Sequence, residues 1–335
     1  MEQQKDRVSW IDIVKGLCII QMVAFHTRIP YLGSPYLVNI TMPCFFFASG
    51  LVFKEKLETL FKSFVKLIIP YLATSLFYNL LNYILRGDAF SLPRSIWFLY
   101  VLFGVIVVYW VICRIISNRI IRDLICLILL VLGYLMNSQY PYPYSASYIL
   151  DYMYNFEPLK LGSICTILAV FHVAHRLGVL FKDGKIDMTR LRTRIVVSAI
   201  FVLSIVMALI NNGEQFYNVA FNTYEKPLPY TIILWSFNIL AIVALSMIIN
   251  HSSVLEYYGK NSLVILCFHI FVLYFSIDPY NIIHTPFDFL LVIVLTPLAV
   301  KLTNTLAPYL YGRKPSVGGG IFIFLSKKYP WLKDV

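Results

Sequence analysis

The chain contains few charged residues, and this scarcity excludes a soluble globular protein. Asp, Glu, Lys and Arg make up 13% of its 335 residues, whereas 59% are hydrophobic and the mean hydropathy is +0.74. Soluble domains have about 25% charged residues. A chain of this composition cannot bury its apolar surface within its own fold, so most of that surface must face lipid.

The chain also lacks the cysteine patterns of disulfide frameworks and zinc sites. No two cysteines form a Cys-x-x-Cys pair, and each lies inside an apolar stretch; they are Cys18, Cys44, Cys113, Cys126, Cys165 and Cys267. Cysteines in such places usually serve as small apolar side chains. We therefore expect neither a disulfide framework nor a bound metal.

Long apolar stretches dominate the sequence, and a spanning helix needs about 20 apolar residues. The candidates are Trp10–Ile29, Leu37–Phe53, Val65–Leu85, Ile96–Ile116, Ile121–Met136, Pro158–Phe181, Ile195–Ile210, Leu228–Asn250, Ser262–Ile277 and Pro286–Leu310. The pattern predicts an all-α polytopic membrane helix bundle of about ten transmembrane helices. Residues 1–310 form the expected membrane domain, and residues 311–335 form a basic cytoplasmic tail.

Basic residues are distributed unevenly between the two ends of these helices. The side shared by the N-terminus, the even-numbered connectors and the tail carries 21 of the 28 Lys and Arg residues, whereas the other side carries four. Because cytoplasmic loops collect Lys and Arg, both termini are predicted to be cytoplasmic. This topology accounts for the net charge of +11 without a nucleic-acid partner.

One connector on the opposite side, Asn137–Glu157, has no Lys or Arg but contains six tyrosines. Tyrosine combines an apolar ring with a hydroxyl group, which suits both a bilayer interface and the face of a sugar ring. The sequence leaves both interpretations open, and the interfacial one is the more common in membrane proteins.

The first helix contains three ionisable residues, and such residues inside a membrane are energetically unfavourable and mark functional candidates. Asp12, Lys15, Ile19, Met22 and His26 share one stripe of this helix at about 100° per residue. We expect the stripe to face the bundle interior, because lipid would penalise its charges.

The two basic residues of this stripe lie at different depths along the helix. Lys15 lies near the cytoplasmic end, and His26 lies about 16 Å further along the helix axis. This separation is comparable to the pantetheine arm of coenzyme A, so Lys15 could hold a phosphate while the thioester reaches His26. A neutral imidazole could take a proton from a sugar hydroxyl or accept the acyl group itself, and the residues do not choose between these roles.

Several segments match, in order, the motifs of one known family. They are Arg7–Pro30 with Lys15, ten residues and His26; Met42–Gly50 with its Phe-Phe-Phe-x-Ser-Gly run; Lys62–Tyr71; Trp97–Leu99; and Tyr258–Leu263 followed by His269. In these segments the chain resembles acyltransferase family 3, a family of membrane O-acyltransferases. The closest likeness is to its fucose 4-O-acetylase-like branch. One departure is that Lys62 and Lys66 stand where many members have Arg-x-x-Arg, and Lys cannot make bidentate phosphate contacts.

The resemblance implies an enzyme that transfers an acetyl group from cytoplasmic acetyl-CoA, a co-substrate, to a hydroxyl of an extracytoplasmic or lipid-linked glycan. It implies no metal, and it implies a multi-pass protein of a bacterial cell membrane in contact with membrane lipid. The implied site residues are His26 and His269 for catalysis, Lys15, Asp12, Lys62 and Lys66 for the donor, and Trp97 and Ser49 for the substrate. A transporter or flippase of polysaccharide or lipid-linked sugar is the alternative, because transporters also place ionisable groups at mid-membrane.

Overall fold

A computed structural model describes residues 8–27, 29, 35–87, 96–136, 160–182, 191–210, 217–218, 222–224, 226–274 and 286–306. The tyrosine-rich segment 137–157, most of the connector that follows Lys182 and the predicted tail at 311–335 lie outside the described residues.

Helices account for nearly all of the described residues. They are α1 (Ser9–His26), α2 (Pro35–Leu51), α3 (Leu57–Ser63), α4 (Ile69–Arg86), α5 (Trp97–Ile115), α6 (Arg119–Leu135), α7 (Leu161–Lys182), α8 (Leu191–Ile210), α9 (Leu228–Ile249), α10 (Ser253–Lys260), α11 (Ser262–Tyr274) and α12 (Pro286–Leu306). A π-helical segment, Phe64–Ile68, joins α3 to α4. Two short strands, β1 (Tyr217–Asn218) and β2 (Thr223–Tyr224), pair in antiparallel register.

The predicted all-α membrane bundle is confirmed, and each of the ten apolar stretches coincides with a helix. Six described helical stretches are long and apolar enough to cross a membrane: Ser9–His26, Leu57–Ile84, Trp97–Ile115, Leu161–Phe181, Leu228–Ile249 and Phe287–Thr305. Two shorter apolar stretches are Thr41–Leu51 and Ser262–Val272. The chain is therefore a multi-pass membrane protein, and the count of ten spans stays a prediction.

Several helices begin earlier than predicted, among them α2 at Pro35, α6 at Arg119 and α8 at Leu191. The third apolar stretch, predicted from Val65, continues helical turns that begin at Leu57, so Lys62, which precedes the predicted stretch, is also helical. Hydropathy missed these first turns because they are polar. Likewise α6 begins at Arg119, because the Asn118 side chain accepts hydrogen bonds from the Ile120 and Ile121 backbone N–H groups.

The short helix α10 was not predicted at all. It contains Glu256, two tyrosines, Gly259 and Lys260, and this composition is too polar for a search based on apolar runs.

The chain divides into two compact units. Unit 1 comprises Met1–Phe53 and Ile115–Lys260, and in its described part α1 packs on α2, α9 and α10, while α7 packs on α2 and α6. Small residues allow these helices to approach closely. A Cβ on Gly50 of α2 would lie 2.5 Å from the Phe171 carbonyl oxygen of α7, and a Cβ on Gly178 of α7 would overlap the Leu51 backbone of α2.

Unit 2 comprises Lys54–Arg114 and Asn261–Val335. In its described part α11 packs on α12 and α4. Aromatic pairs join the π-helical segment and α4 to α5 and α11: the Phe64 and Phe103 rings lie 5.8 Å apart, and those of Phe77 and Phe271 lie 5.2 Å apart.

One face of α6 shows where lipid must cover the protein. The residues of this face are large, apolar and exposed at helical spacing; they are Ile120, Leu124, Leu127, Ile128, Val131 and Leu135. The opposite side of the helix, with Cys126, Leu130 and Gly133, is buried against α7. An apolar stripe of this kind is stable only in an apolar solvent.

Candidate functional site

The stripe on α1 lies largely inside unit 1. Asp12 is 2% exposed and Ile19 and Met22 are 1% exposed, whereas Lys15 and His26 are half-buried. Burial does not single out this stripe, because Ile13, Val14 and other residues around the helix are also fully buried. Helix α1 is thus the central helix of its unit, and lipid access to any of its faces is limited.

His26 occupies the last residue of α1. Its ring meets the Phe25 ring edge-on at a centroid distance of 5.3 Å. The next residue, Thr27, is buried, and its hydroxyl donates to the Val23 carbonyl at 2.9 Å, which closes the final helical turn. The imidazole therefore lies at the end of a buried helix, eleven residues and about 16 Å along the helix axis from Lys15.

The turn Asp12–Gly16, which carries Lys15, lies directly against α10. A Cβ on Gly259 would overlap the Asp12 carbonyl and would lie 3.0 Å from the Gly16 nitrogen. A Cβ on Gly16 would lie 2.9 Å from the Leu255 carbonyl carbon. The backbones of α1 and α10 therefore touch at the two ends of this one turn, which is possible only because both positions are glycine.

Glu256 of α10 forms a polar cluster beside the same contact. Its carboxylate accepts a hydrogen bond from the Ser9 hydroxyl, pairs with Lys260 Nζ at 2.9 Å and lies 2.6 Å from His251 Nδ1. Hydrogen bonds from Ser9 and Lys260 lower the pKa of Glu256 to about 2. These residues form no recognised sequence motif together, and the cluster becomes evident only when α1 and α10 are in contact.

The second helix also contributes polar contacts within unit 1. The Thr41 hydroxyl donates to the Gln21 side-chain oxygen, which links α1 and α2 between buried residues. Ser49, a predicted substrate residue, donates its hydroxyl to the Phe45 carbonyl of its own helix at 2.9 Å. Thr41 lies outside the matched motif segments, and Gln21 lies within Arg7–Pro30 but is not one of the residues that define that motif, so the sequence offered no signal for this bond.

The remaining predicted site residues lie in unit 2. His269 is fully buried on α11, and its Nδ1 lies 3.1 Å from the Ile265 carbonyl oxygen. A carbonyl only accepts, so Nδ1 carries the proton, and in neutral His269 the lone pair is on Nε2. Lys62 forms an ion pair with Glu58 at 2.7 Å, and Lys66 is exposed on the π-helical segment. Trp97 is the first residue of α5 and is half-buried.

A second ionic cluster joins α6 to α7. His172 Nε2 donates to Asp123 Oδ1 at 2.7 Å, and Arg176 lies 3.8 Å from the other carboxylate oxygen. The sequence shows no acidic residue near His172, because Asp123 is 49 positions away and reaches it only through helix packing. The neighbouring His175 packs edge-on against Phe53, with ring centroids 5.4 Å apart.

Metal ligands and disulfides can be assessed only in the part of the chain that the structure describes. Within that part, no group of three His, Cys, Asp or Glu side chains is placed to hold a metal ion. All six cysteines are free thiols, and each except the half-buried Cys165 is buried.

Apolar spanning helices with buried ionisable side chains define a multi-pass membrane protein. The sequence model of acyltransferase family 3, described as an acyltransferase domain, matches residues 8–303, and the chain belongs to this family. It is therefore a membrane acyltransferase. No curated protein and no solved structure matches the chain.

Proposed function

We propose that the protein transfers an acetyl group from cytoplasmic acetyl-CoA to a hydroxyl of a glycan on the other side of the membrane. The acceptor is an extracytoplasmic or lipid-linked sugar of the capsule, exopolysaccharide or O-antigen type, in a bacterial cell membrane. The observation that carries the proposal is the pairing of Lys15 and His26 on one stripe of α1, about 16 Å apart along the axis, in a chain that belongs to an acyltransferase family.

Lys15 and Asp12 serve the donor end in this proposal. The ammonium of Lys15 attracts the phosphates or the polar atoms of the coenzyme A arm, and Asp12 lies one helical turn below it on the same stripe. Lys62 of α3 and Lys66 of the π-helical segment are also assigned to the donor in this proposal. Extended from this end, the pantetheine arm is long enough to bring the thioester to the level of His26.

His26 is the general base of the proposed reaction. Its imidazole takes the proton of the sugar hydroxyl while that oxygen attacks the thioester carbonyl. The carbon–sulfur bond then breaks, the acetyl group stays on the sugar oxygen, and the imidazolium returns the proton to the departing coenzyme A thiolate. His269 is proposed to take part in catalysis as a second histidine, and Trp97 and Ser49 are proposed to contact the acceptor.

An acyl-transfer assay tests the proposal directly. Purified full-length protein is given radiolabelled acetyl-CoA and a glycan extract, and the label on the glycan is counted. We expect His26→Ala to reduce transfer by at least about 10²-fold, because general-base catalysis contributes this much. The matched control is His175→Ala, which removes another histidine of unit 1 and should leave transfer intact after correction for the folded fraction.

The outcomes separate the candidate functions. Transfer that survives His26→Ala would show that the base lies elsewhere. If the wild-type protein transfers label to no glycan, acetyl-CoA or the glycan is the wrong substrate. That result would favour the alternative function, a flippase. Label that stays on the wild-type protein when no glycan is added, but not on His26→Ala, would indicate that His26 accepts the acetyl group covalently.

A further inference from the structure

Helix α10 packs against the first two turns of α1, including the turn that carries Lys15, and this contact has no role in the function described so far. Three residues of α10 take part: Gly259 against Asp12, Leu255 against Gly16, and Glu256 against Ser9. Two of these contacts are between backbones, so they fix the separation of the helices more firmly than flexible side chains would.

We propose that α10 is a positioning device that sets the location of Lys15 and hence the affinity for the acyl donor. This inference rests on the proposed function, because it assigns to Lys15 the donor role given above. The three residues Leu255, Glu256 and Gly259 are called the α10 clamp. They are positioning residues, since they act through the backbone of α1 and not on the substrate.

The geometry of the turn supports a role in placing Lys15. Asp12 and Gly16 bracket Lys15, and α10 touches the backbone at both of these positions. Any shift of α10 must therefore move this turn or break the contact. The side chain of Lys15 is long and half-buried, so a small displacement of its Cα changes where its ammonium can lie.

The Glu256 cluster supports the same role at the start of α1. Glu256 is 7% exposed and holds the Ser9 hydroxyl, which is three residues before Asp12. Lys260 and the backbone N–H of Ser252 also donate to this carboxylate, so its orientation is determined within α10 itself. Helix α1 is thereby attached to α10 at its first turn as well as at its second.

The first experiment measures kinetics in the full-length protein. We expect Gly259→Ala to raise KM for acetyl-CoA about tenfold and to change kcat less than about twofold, because the donor site moves but the base does not. Gly178→Ala is the matched control, since its Cβ would also overlap a backbone carbonyl, somewhat less closely than the Cβ of Gly259→Ala, but between α2 and α7. Equal effects of the two variants would overturn the inference.

If Gly259→Ala fails to fold, two milder substitutions at Glu256 test the same inference. Glu256→Ala removes the acceptor of Ser9, whereas Glu256→Gln keeps an oxygen that can still accept this bond. We expect the alanine variant to raise KM for acetyl-CoA about fivefold and the glutamine variant to restore most of the wild-type value. A wild-type KM in Glu256→Ala would contradict the inference.

A labelling experiment tests the α10 clamp with a readout that does not depend on enzyme activity. Lys15→Cys is introduced into otherwise wild-type, Gly259→Ala and Gly178→Ala chains, and the rate of maleimide labelling in membranes is compared with the parent chains. We expect at least about threefold faster labelling in the Gly259→Ala chain only, because the loosened contact exposes the turn. Equal rates would overturn the inference. If the wild-type protein transfers no acetyl group, the proposed function fails. The labelling result still shows whether the α10 clamp positions the turn that carries Lys15.

Discussion

Glu256 is a single residue that combines several interactions at the contact between α1 and α10. Ser9, Lys260 and the Ser252 N–H all donate to it, and His251 lies within an ion-pair distance. These donors favour the charged carboxylate, which is why the pKa of Glu256 falls from 4.5 to about 2.

This pKa shift predicts how stability depends on pH. The folded state binds the proton of Glu256 more weakly than the unfolded state does, so the carboxylate stabilises the fold fully above about pH 4.5. That contribution is lost as the pH falls towards about 2. Thermal unfolding in detergent should therefore show a stability difference between wild type and Glu256→Gln that is constant above pH 4.5 and shrinks below it.

The control for this measurement is Glu55→Gln, which removes an exposed carboxylate between α2 and α3. Its difference from wild type should not follow the same pH profile. A Glu256→Gln difference that stays unchanged down to pH 2 would show that the charge of this carboxylate does not hold α1 to α10.

Asn222 is a second residue with several simultaneous roles. It is 2% exposed and has a φ of +51°, a left-handed conformation that Asn tolerates better than most residues. Its Nδ2 donates to the Gly133 carbonyl of α6 at 2.8 Å, and its Oδ1 accepts from Thr166 of α7 at 3.1 Å. The Tyr224 hydroxyl of β2 donates to Thr166 at 2.8 Å, so one buried amide connects the strand pair to two helices.

Two substitutions at this position should separate backbone strain from hydrogen bonding. Asn222→Gly keeps the left-handed conformation but loses both bonds, and Asn222→Ala loses the bonds and adds strain. We expect Asn222→Ala to reduce the free energy of unfolding by about 2–4 kcal/mol. The loss in Asn222→Gly should be smaller than the loss in Asn222→Ala by about 1–2 kcal/mol. Chemical unfolding in detergent measures both values, and equal losses would mean that the conformation of Asn222 adds nothing.

At the scale of elements, α6 and α7 show how one helix pair depends on separate contacts along its length. Gly133 packs against Thr166 near one end, and Asp123 meets His172 and Arg176 towards the other. Between them α6 buries Cys126 and Leu130. The pair is thus joined by close packing, apolar burial and a charged hydrogen bond, and each can be removed independently.

A double-mutant cycle measures the charged contact. Asp123→Ala, His172→Ala and the double variant should give a coupling of about 1 kcal/mol in the free energy of unfolding, because the two side chains are in direct contact. A parallel cycle with Arg176→Ala should give a smaller coupling, since Arg176 lies 3.8 Å from the carboxylate and is more exposed. A larger value for Arg176 than for His172 would contradict the assignment of His172 as the main partner of Asp123.

At the scale of the whole molecule, charge asymmetry is expected to orient the chain. With 21 Lys and Arg residues on one side and four on the other, both termini should be cytoplasmic. Reporter fusions check this prediction. A green fluorescent protein at either end should be fluorescent, and alkaline phosphatase at the C-terminus should be inactive but should be active when inserted within residues 137–157. Active phosphatase at the C-terminus would reverse the topology.

The sequence alone determined which class of protein this is and where its long apolar helices lie. Hydropathy locates spanning helices one segment at a time, because any sufficiently long apolar helix is stable in lipid whatever its neighbours are. Each family motif is also recognised within one short segment, and the match over residues 8–303 confirms the family that the motifs indicated. The roles of Lys15, His26 and the other predicted site residues stay predictions.

Only the tertiary structure decided which polar residues meet. Asp123 and His172, Gln21 and Thr41, and Ser9 and Glu256 are far apart in the chain, and each pair depends on how two helices pack. Hydropathy is a property of one segment at a time, whereas a hydrogen bond between helices depends on their rotation, depth and separation together. Close glycine contacts set that separation, and nothing local distinguishes such a glycine from one that simply ends a helix.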